Sequence, residues 1–522
     1  MRTFGRHLGK VRLALLLCLT ACAASAPPVS HRIAWSECGK HLQCAQVTVP
    51  LEWSKRTGPQ ITLAIVRHLA SKPAMRIGTL FFNPGGPGVS GVGTVKEAGD
   101  ELDTFGGGRF DVVSWDPRGT GASTHVRCFA NPNAVAKFWG DLGVPTTASA
   151  SPVYLRTMIA FARRCGEMSQ ALLPHITTAD TARDLDYLRE LLSERRVTYL
   201  GWSYGSFLGV TYANMFPTRV RAMVLDGIVD PIQNVAGREP ALANGAADAD
   251  LVFGKFESLC DRAGRLRCAL AGDQPAARGI TRFIARLRRA PISAPSAPGG
   301  RLSYGDFLTT LFLKLRSPDQ WPQLAKDIRA AESGDGSAIE NTALTLRSPS
   351  GYEQLEAPIA IACADSPAQN PPQAWPAVTK RLTAISFIFG PLSSWWLWAP
   401  CASWPVASAN RYTGPWSART RTPILLISTK YDPNTPFANG QRLRRLLGNA
   451  VLLTHDGYGH TSTADSSACV ERAERRYLIG LSVPKRGWIC PSDRPPFDPN
   501  FGKPDGVNQP ATANVTISSA TR

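Results

Sequence analysis

The sequence predicts an α/β fold: a doubly wound, mostly parallel sheet interrupted by a mostly helical insertion. Three observations lead there. Short apolar, β-branched runs alternate with helical stretches. Several runs are apolar almost throughout, as in strands covered on both faces. The alternation breaks between about Asn234 and Trp416, where helical patterns dominate.

The first element lies outside the fold. Arg2, Arg6, Lys10 and Arg12 precede an apolar run at 13–19, too short to span a bilayer, which reads as an export signal. Two processing sites compete. Leu19-Thr20-Ala21-Cys22 has the form of a bacterial lipobox, with residues 1–21 removed and Cys22 lipidated. Ala24-Ser25-Ala26 has the form of ordinary signal cleavage, but Pro27 would follow the cut, so the lipobox is preferred. The product is a membrane lipoprotein on the outer face or a secreted protein.

Candidate strands follow at 61–67, 79–82, 111–115, 197–201, 222–225, 423–428 and 450–454. Helices are expected at 178–194 and 204–215. The core spans 31–233 and 417–490, and the cap insertion spans 234–416. Cap helices are expected at 249–263, 277–289 and 304–315, with a Pro/Ser/Gly-rich break at 290–300. Residues 491–522 are rich in Pro, Asn and Thr and read as a loose tail.

Composition excludes several classes. The 522 residues are 43% hydrophobic and 19% charged, the profile of a core-forming protein. The formal charge of +18 comes from scattered arginines without an aromatic-interleaved stripe, so nucleic acid is a poor partner. Of 12 cysteines, Cys18 and Cys22 lie in the signal. The others fall in neighbouring couples: Cys38 and Cys44, Cys128 and Cys165, Cys260 and Cys268, Cys363 and Cys401, Cys469 and Cys490. In an exported chain these are expected to pair as disulfides, although sequence alone leaves the connectivity open. No C-x-x-C, H-E-x-x-H or P-loop occurs, and no metal or organic cofactor is called for.

The chemistry centres on Gly201-Trp-Ser203-Tyr-Gly205. G-x-S-x-G alone is a weak signal, but here a β-run precedes it and a helical run follows. That is the setting of a nucleophile elbow, whose tight turn needs small residues beside the serine. Ser203 would need a base. His455 and His460 lie after the last strand; His455 ends an apolar run and reads as structural, whereas His460 sits in a glycine-flanked loop suited to a cleft. The orienting acid is expected at the end of the preceding strand, where Asp432 stands in Asp432-Pro-Asn-Thr435-Pro. Asp226 is the rival acid.

Glycines at 85–88 raise a separate question. Gly86-Pro-Gly88-Val-Ser-Gly91 formally matches the dinucleotide motif G-x-G-x-x-G. Yet residues 89–93 are rich in glycine and poor for the helix that motif should open. An acyl-transfer serine, by contrast, needs two backbone donors for an oxyanion. The N–H of Tyr204 would supply one, and Gly86 the other.

These residues resemble a known family. Asn83-Pro-Gly-Gly-Pro-Gly88, Ser114-Trp-Asp-Pro-Arg-Gly119, Gly201-Trp-Ser-Tyr-Gly205, Asp432-Pro-Asn-Thr-Pro436 and Gly459-His460 look like the exported tripeptidyl aminopeptidase group of α/β-hydrolases from actinomycetes. That group is similar to proline iminopeptidases and includes mycobacterial lipoprotein hydrolases. The likeness extends to Ala182-Arg-Asp-Leu-Asp186, Leu225-Asp-Gly227, Cys363-Ala-Asp365 and Cys401-Ala-Ser-Trp-Pro405, and covers about residues 31 to 490. It implies a serine hydrolase removing short peptides from free N-termini, with Ser203, Asp432 and His460 as triad. Ser206 stands where the group often has Thr. An aminopeptidase needs a carboxylate for the substrate's ammonium, and Asp365 is the candidate. The same triad would equally serve a carboxylesterase or lipase acting on acyl esters.

Overall fold

In the computed structural model, residues 33–502 are described, apart from 141, 147–149, 238, 369, 396–397 and 409; the side chains of 349–350 and 352–354 are also outside the description. The export segment, Cys22 and residues 503–522 lie outside the described residues. Among the described helices, none is long and apolar enough to cross a membrane.

Twelve strands are present among the described residues: β1 Ser36–Gly39, β2 Leu42–Pro50, β3 Gln60–His68, β4 Gly78–Asn83, β5 Phe110–Trp115, β6 Val197–Trp202, β7 Val220–Asp226, β8 Ile292–Ser293, β9 Arg301–Leu302, β10 Ile424–Tyr431, β11 Ala450–Tyr458 and β12 Ile489–Pro491. Ten of them form one sheet in the order β1-β2-β3-β5-β4-β6-β7-β10-β11-β12, and β8 pairs only with β9. Pairing is antiparallel from β1 to β5 and parallel from β5 to β12. All seven strands expected from sequence are present, each longer by one to four residues. The apolar pattern does not announce β1, β2 or β12. β1 and β12 are short and partly exposed, and β2 carries polar residues on its outer face, so none reads as an apolar run.

Alternation along the central strands sends neighbouring side chains to opposite faces. Phe81 packs beneath the helices Thr178–Leu191 and Tyr204–Met215, whereas Leu80 and Phe82 pack beneath Gly91–Phe105 and Ala468–Gly480. Strands β4, β5 and β6 are buried along their whole length, which explains their unbroken apolar character.

The helix Gly91–Phe105 corrects the reading of residues 89–93 as unfit for a helix. Ser90 caps it, accepting the Gly93 N–H at 2.8 Å, and its hydroxyl donates to Asp116 at 2.6 Å. Packing dictates the glycine: a Cβ at Gly91 would lie 2.2 Å from Ser114 Oγ and 2.4 Å from Trp115 O. Tertiary closeness overrides helix propensity here.

The insertion is not one body of cap. Residues between Ala246 and Ile339 share a second apolar core with Phe389 and Leu392. Ile359–Ala364, Trp375, Trp395, Cys401 and Trp416 instead join the main core. Trp395 is fully buried against Tyr154, so it packs rather than lines a pocket. The tail also departs from expectation in its first part. Phe497 is buried in the cap core near Phe256 and Trp321, and Pro491 ends the last strand of the sheet.

All five expected disulfides are present: Cys38–Cys44, Cys128–Cys165, Cys260–Cys268, Cys363–Cys401 and Cys469–Cys490.

Candidate active site

Strand order reverses at β4, which lies between β5 and β6, and such switch points open a crevice at the carboxyl ends of the strands. The register aligns the functional loops there. Asn83 of β4 pairs with Gly201 of β6, and Trp202 pairs with Asp226 of β7, which in turn pairs with Ile427 of β10.

Ser203 links β6 to the helix Tyr204–Met215 with φ 54° and ψ −121°. A non-glycine residue with positive φ is strained, and such strain concentrates at functional sites. The surroundings hold it. Its N–H donates to Asp226 O at 2.8 Å, and its carbonyl accepts the Ser206 N–H at 2.8 Å. The flanking glycines are obligatory: a Cβ at Gly201 would sit 2.4 Å from Gly205 O, and one at Gly205 would sit 2.6 Å from Asn83 O. Ser206, where a threonine is common, donates to Gly227 O at 3.1 Å and accepts the Val229 N–H at 3.0 Å.

Asp432 follows β10 and is buried. One carboxylate oxygen accepts the N–H groups of Asn434 and Thr435 at 2.8 and 2.9 Å; the other accepts the Thr435 hydroxyl at 2.6 Å and the Thr461 N–H at 3.1 Å. His460 Nδ1 donates to the pair of oxygens at 3.0 and 3.1 Å. Burial pushes the carboxyl up, but the His460 charge and the donated hydrogen bonds outweigh it and hold Asp432 below its usual range. An ionised Asp432 fixes the proton on Nδ1 and leaves Nε2 as the basic nitrogen.

The elbow, the acid turn and the histidine loop meet around Gly227. A Cβ there would lie 3.5 Å from Ser203 N, 3.1 Å from Thr435 Oγ1 and 2.8 Å from Thr461 Cγ2. Neither Ser203 Oγ nor His460 Nε2 makes a hydrogen bond to a described residue, and such bonds commonly tighten only when substrate binds.

The glycine-rich loop lies against the elbow. A Cβ at Gly85 would meet Trp202 O at 2.5 Å and Tyr204 N at 3.2 Å. The Gly85 N–H is occupied by Asn83 Oδ1 at 3.1 Å. The Gly86 N–H, like those of Gly88 and Val89, donates to no described residue. Gly85 and Gly86 take φ 102° and 107°, values closed to other residues.

The rival residues have other duties. His455 is fully buried, and burial holds its ring at about 4, so it stays neutral beside Thr429. Asp226 is fully buried and accepts the N–H and hydroxyl of Ser462 at 2.9 and 2.7 Å, tying down the loop that carries His460. Burial raises its carboxyl to about 7.

Asp365 is not a free carboxylate. It is buried, and its two oxygens accept the N–H and hydroxyl of Thr178 at 2.8 and 2.6 Å, at the start of the helix Thr178–Leu191. Helix N-termini favour such a charge, and that explains the position. Through Thr178, whose hydroxyl meets Tyr204 OH, it connects to the elbow helix. A cap carboxylate that the sequence did not single out feels the charge of the triad acid. Asp248, half-buried on the helix Glu239–Ala263, is raised to about 6 by burial and by the charge of Asp432, with Arg442 opposing. Nothing in its helical context distinguishes it from its neighbours before the cap is folded.

The Asp-Pro-Arg and Ala-Arg-Asp-Leu-Asp motifs are structural and meet each other. Arg118 is fully buried and bidentate to Asp184 at 2.7 and 2.6 Å, and also donates to Leu51 O, His175 O and Pro50 O.

A strained serine on a strand–turn–helix elbow, beside an oriented Asp–His pair on a doubly wound sheet, defines the class: a serine hydrolase of the α/β-hydrolase fold. Comparison with known proteins agrees. The family described as alpha/beta hydrolase fold matches residues 78–256, and the one described as TAP-like protein matches residues 387–490. The chain is 30% identical over 511 residues to the serine protease Hip1 of Mycobacterium tuberculosis, covering 92% of this chain and 96% of that protein. It is 28% identical over 495 residues to the tripeptidyl aminopeptidase of Streptomyces lividans, covering 90% and 88%. It is 31% identical over 488 residues to the carboxylesterase B of M. tuberculosis, covering 89% and 91%. The chain belongs to the TAP-like family of α/β-hydrolases.

Proposed function

We propose that this hydrolase is an exported aminopeptidase that releases short peptides, tripeptides foremost, from free N-termini through an acyl-enzyme on Ser203. The observation that carries the catalytic part is the buried Asp432, whose oxygens take five donors and aim His460. Ser203 attacks the scissile carbonyl while His460 Nε2 takes its proton. The N–H groups of Tyr204 and Gly86 stabilise the oxyanion. His460 then protonates the leaving amine, and water repeats the sequence to free the acyl group. The names of the Hip1 and tripeptidyl aminopeptidase relatives support a peptide substrate. For the substrate's ammonium we assign Asp248 in place of Asp365, because Asp365 is engaged by Thr178 whereas Asp248 is half-buried on the cap and feels the charge of Asp432.

The decisive experiment is digestion of a peptide library with free and acetylated N-termini, read by mass spectrometry. Wild type should cleave only the free set, Ser203→Ala neither, and Asp248→Asn should lose the discrimination. Equal cleavage of both sets by wild type would rule out an aminopeptidase. The carboxylesterase B relative supports a second reading, hydrolysis of acyl esters by the same triad; efficient ester turnover without peptide cleavage would select it.

Export and the lipid anchor on Cys22 belong to the same proposal and rest on the basic, apolar and lipobox pattern of residues 1–22. Detergent-phase partitioning should be lost in Cys22→Ala. Identical partitioning of the two proteins would remove the anchor.

A further inference from the structure

Arg316 is a half-buried cation that the catalytic scheme leaves unused. It follows the cap helix Tyr304–Leu315, and its carbonyl accepts the His460 N–H at 2.8 Å. The cap segment presses closely on the histidine loop: a Cβ at Gly459 would lie 2.7 Å from Arg316 O and 2.6 Å from Pro318 Cδ. Arg316 therefore borders the histidine side of the site.

Its guanidinium lacks what other arginines packed into the fold possess. Arg118, Arg189 and Arg347 each meet a carboxylate within 3.2 Å. Arg316 forms no ion pair and no side-chain hydrogen bond with any described residue, and its Nε is enclosed without a partner. The charge of Asp432 favours its protonated form, but the oxygens of Asp432 are already committed. Burial lowers the affinity of the guanidinium for its proton, the mark of a cation short of a counter-charge. An unpaired, half-buried cation with an enclosed Nε is costly, and an anionic ligand would relieve that cost. The planar fork of arginine matches a carboxylate in two parallel hydrogen bonds.

The histidine side is where the leaving group departs, because His460 must stand beside the amine it protonates. We propose that Arg316 binds a carboxylate on the leaving side of the substrate. Preferred substrates are then short peptides ending one or two residues past the scissile bond, or peptides with an acidic side chain there. This inference rests on the peptide reading of the site.

The test compares kcat/KM for Ala-Ala-Ala-Ala as free acid and as C-terminal amide, and for the amides Ala-Ala-Ala-Glu and Ala-Ala-Ala-Gln. Wild type, Arg316→Gln and Arg316→Lys are assayed together. Ratios are read, so a general loss of activity or folded fraction cancels. Wild type should favour a carboxylate at least about tenfold, the worth of a charge-assisted pair. Arg316→Gln should bring the ratio near one, and Arg316→Lys should restore part of it. A preference for acid over amide assigns the α-carboxylate; a preference for Glu over Gln alone assigns the side chain. Equal rates for every pair in wild type, or an unchanged ratio in Arg316→Gln, would overturn the proposal. If no peptide is cleaved, butyrate esters of 4-hydroxybenzoic acid and 4-hydroxybenzamide carry the same contrast. A preference for the acid that is lost in Arg316→Gln keeps the role of Arg316 while the peptidase reading falls, and no preference ends both.

Discussion

Replacing Asp432 with Asn separates the orientation of His460 from every other feature of the site. The amide oxygen must take the position that accepts Asn434 and Thr435 N–H, since an NH2 there would oppose two donors. The amide nitrogen then faces Thr461 N–H and His460 Nδ1. The first contact sets donor against donor and costs about 1–3 kcal/mol of stability. The second is worse for chemistry. The amide donates to Nδ1, the ring proton moves to Nε2, and the base that Ser203 needs is gone. In a Ser-His-Asp protease the same exchange lowers kcat about 10,000-fold, which is about 5.4 kcal/mol of barrier. A loss of that order is expected here. The assay is steady-state hydrolysis with a fluorophosphonate labelling rate for Ser203, alongside a thermal melt to show that the fold survives. Asp226→Asn is the control: it disturbs Ser462 but leaves Asp432 in place, so its loss should stay within about a hundredfold. An Asp432→Asn enzyme with more than about 1% activity, or a greater loss in Asp226→Asn, would refute the assignment of the acid.

Three further outcomes are expected. His455 is held near 4 in the fold and titrates near about 6.5 when unfolded. Its contribution is therefore complete above about pH 6.5 and is lost as pH falls toward about 4, up to about 3 kcal/mol. His455→Gln should flatten that window in urea melts taken from pH 4 to 7. Arg118→Met strands a buried Asp184 and should cost about 3–5 kcal/mol; adding Asp184→Leu should recover part of the loss in denaturant melts. Finally, two helical glycines should respond with opposite sign. A Cβ added at Gly254 would meet no atom within 4 Å, and the residue lies exposed on its helix, so Gly254→Ala should gain about 0.5–1 kcal/mol. Gly91→Ala, facing Ser114 Oγ at 2.2 Å, should lose about 1–3 kcal/mol; the two melting temperatures decide.

Much of the site was legible because its chemistry demands particular residues at particular places. Ser203 needs small neighbours, so Gly201 and Gly205 mark the elbow. His460 needs a loop that follows the last long strand, and Gly459 marks it. His455 and Asp226 were open rivals because both stand at strand ends, where local sequence looks the same for a triad member and for a structural group. Burial and partners separate them. Asp365 misled for a related reason: its position beside the Cys363–Cys401 bridge is near the site, but its charge is held by Thr178 from a segment far earlier in the chain. Residues 89–93 misled because glycine content speaks for propensity, whereas Gly91 answers to the atoms of β5.

What the sequence determined by itself is local and periodic: the α/β alternation, seven central strands, the elbow, the acid turn, the histidine loop and the neighbouring cysteine couples. Each is set within a few residues by backbone sterics or apolar pattern. What only the tertiary structure decided depends on groups far apart in the chain. That includes the division of the insertion between two cores, the docking of Phe497, the seating of Arg316 on the His460 loop and the charge that reaches Asp248. Such pairings follow from the sheet order and the way the cap closes over it, and no local pattern encodes a distance between residues so far apart in the chain.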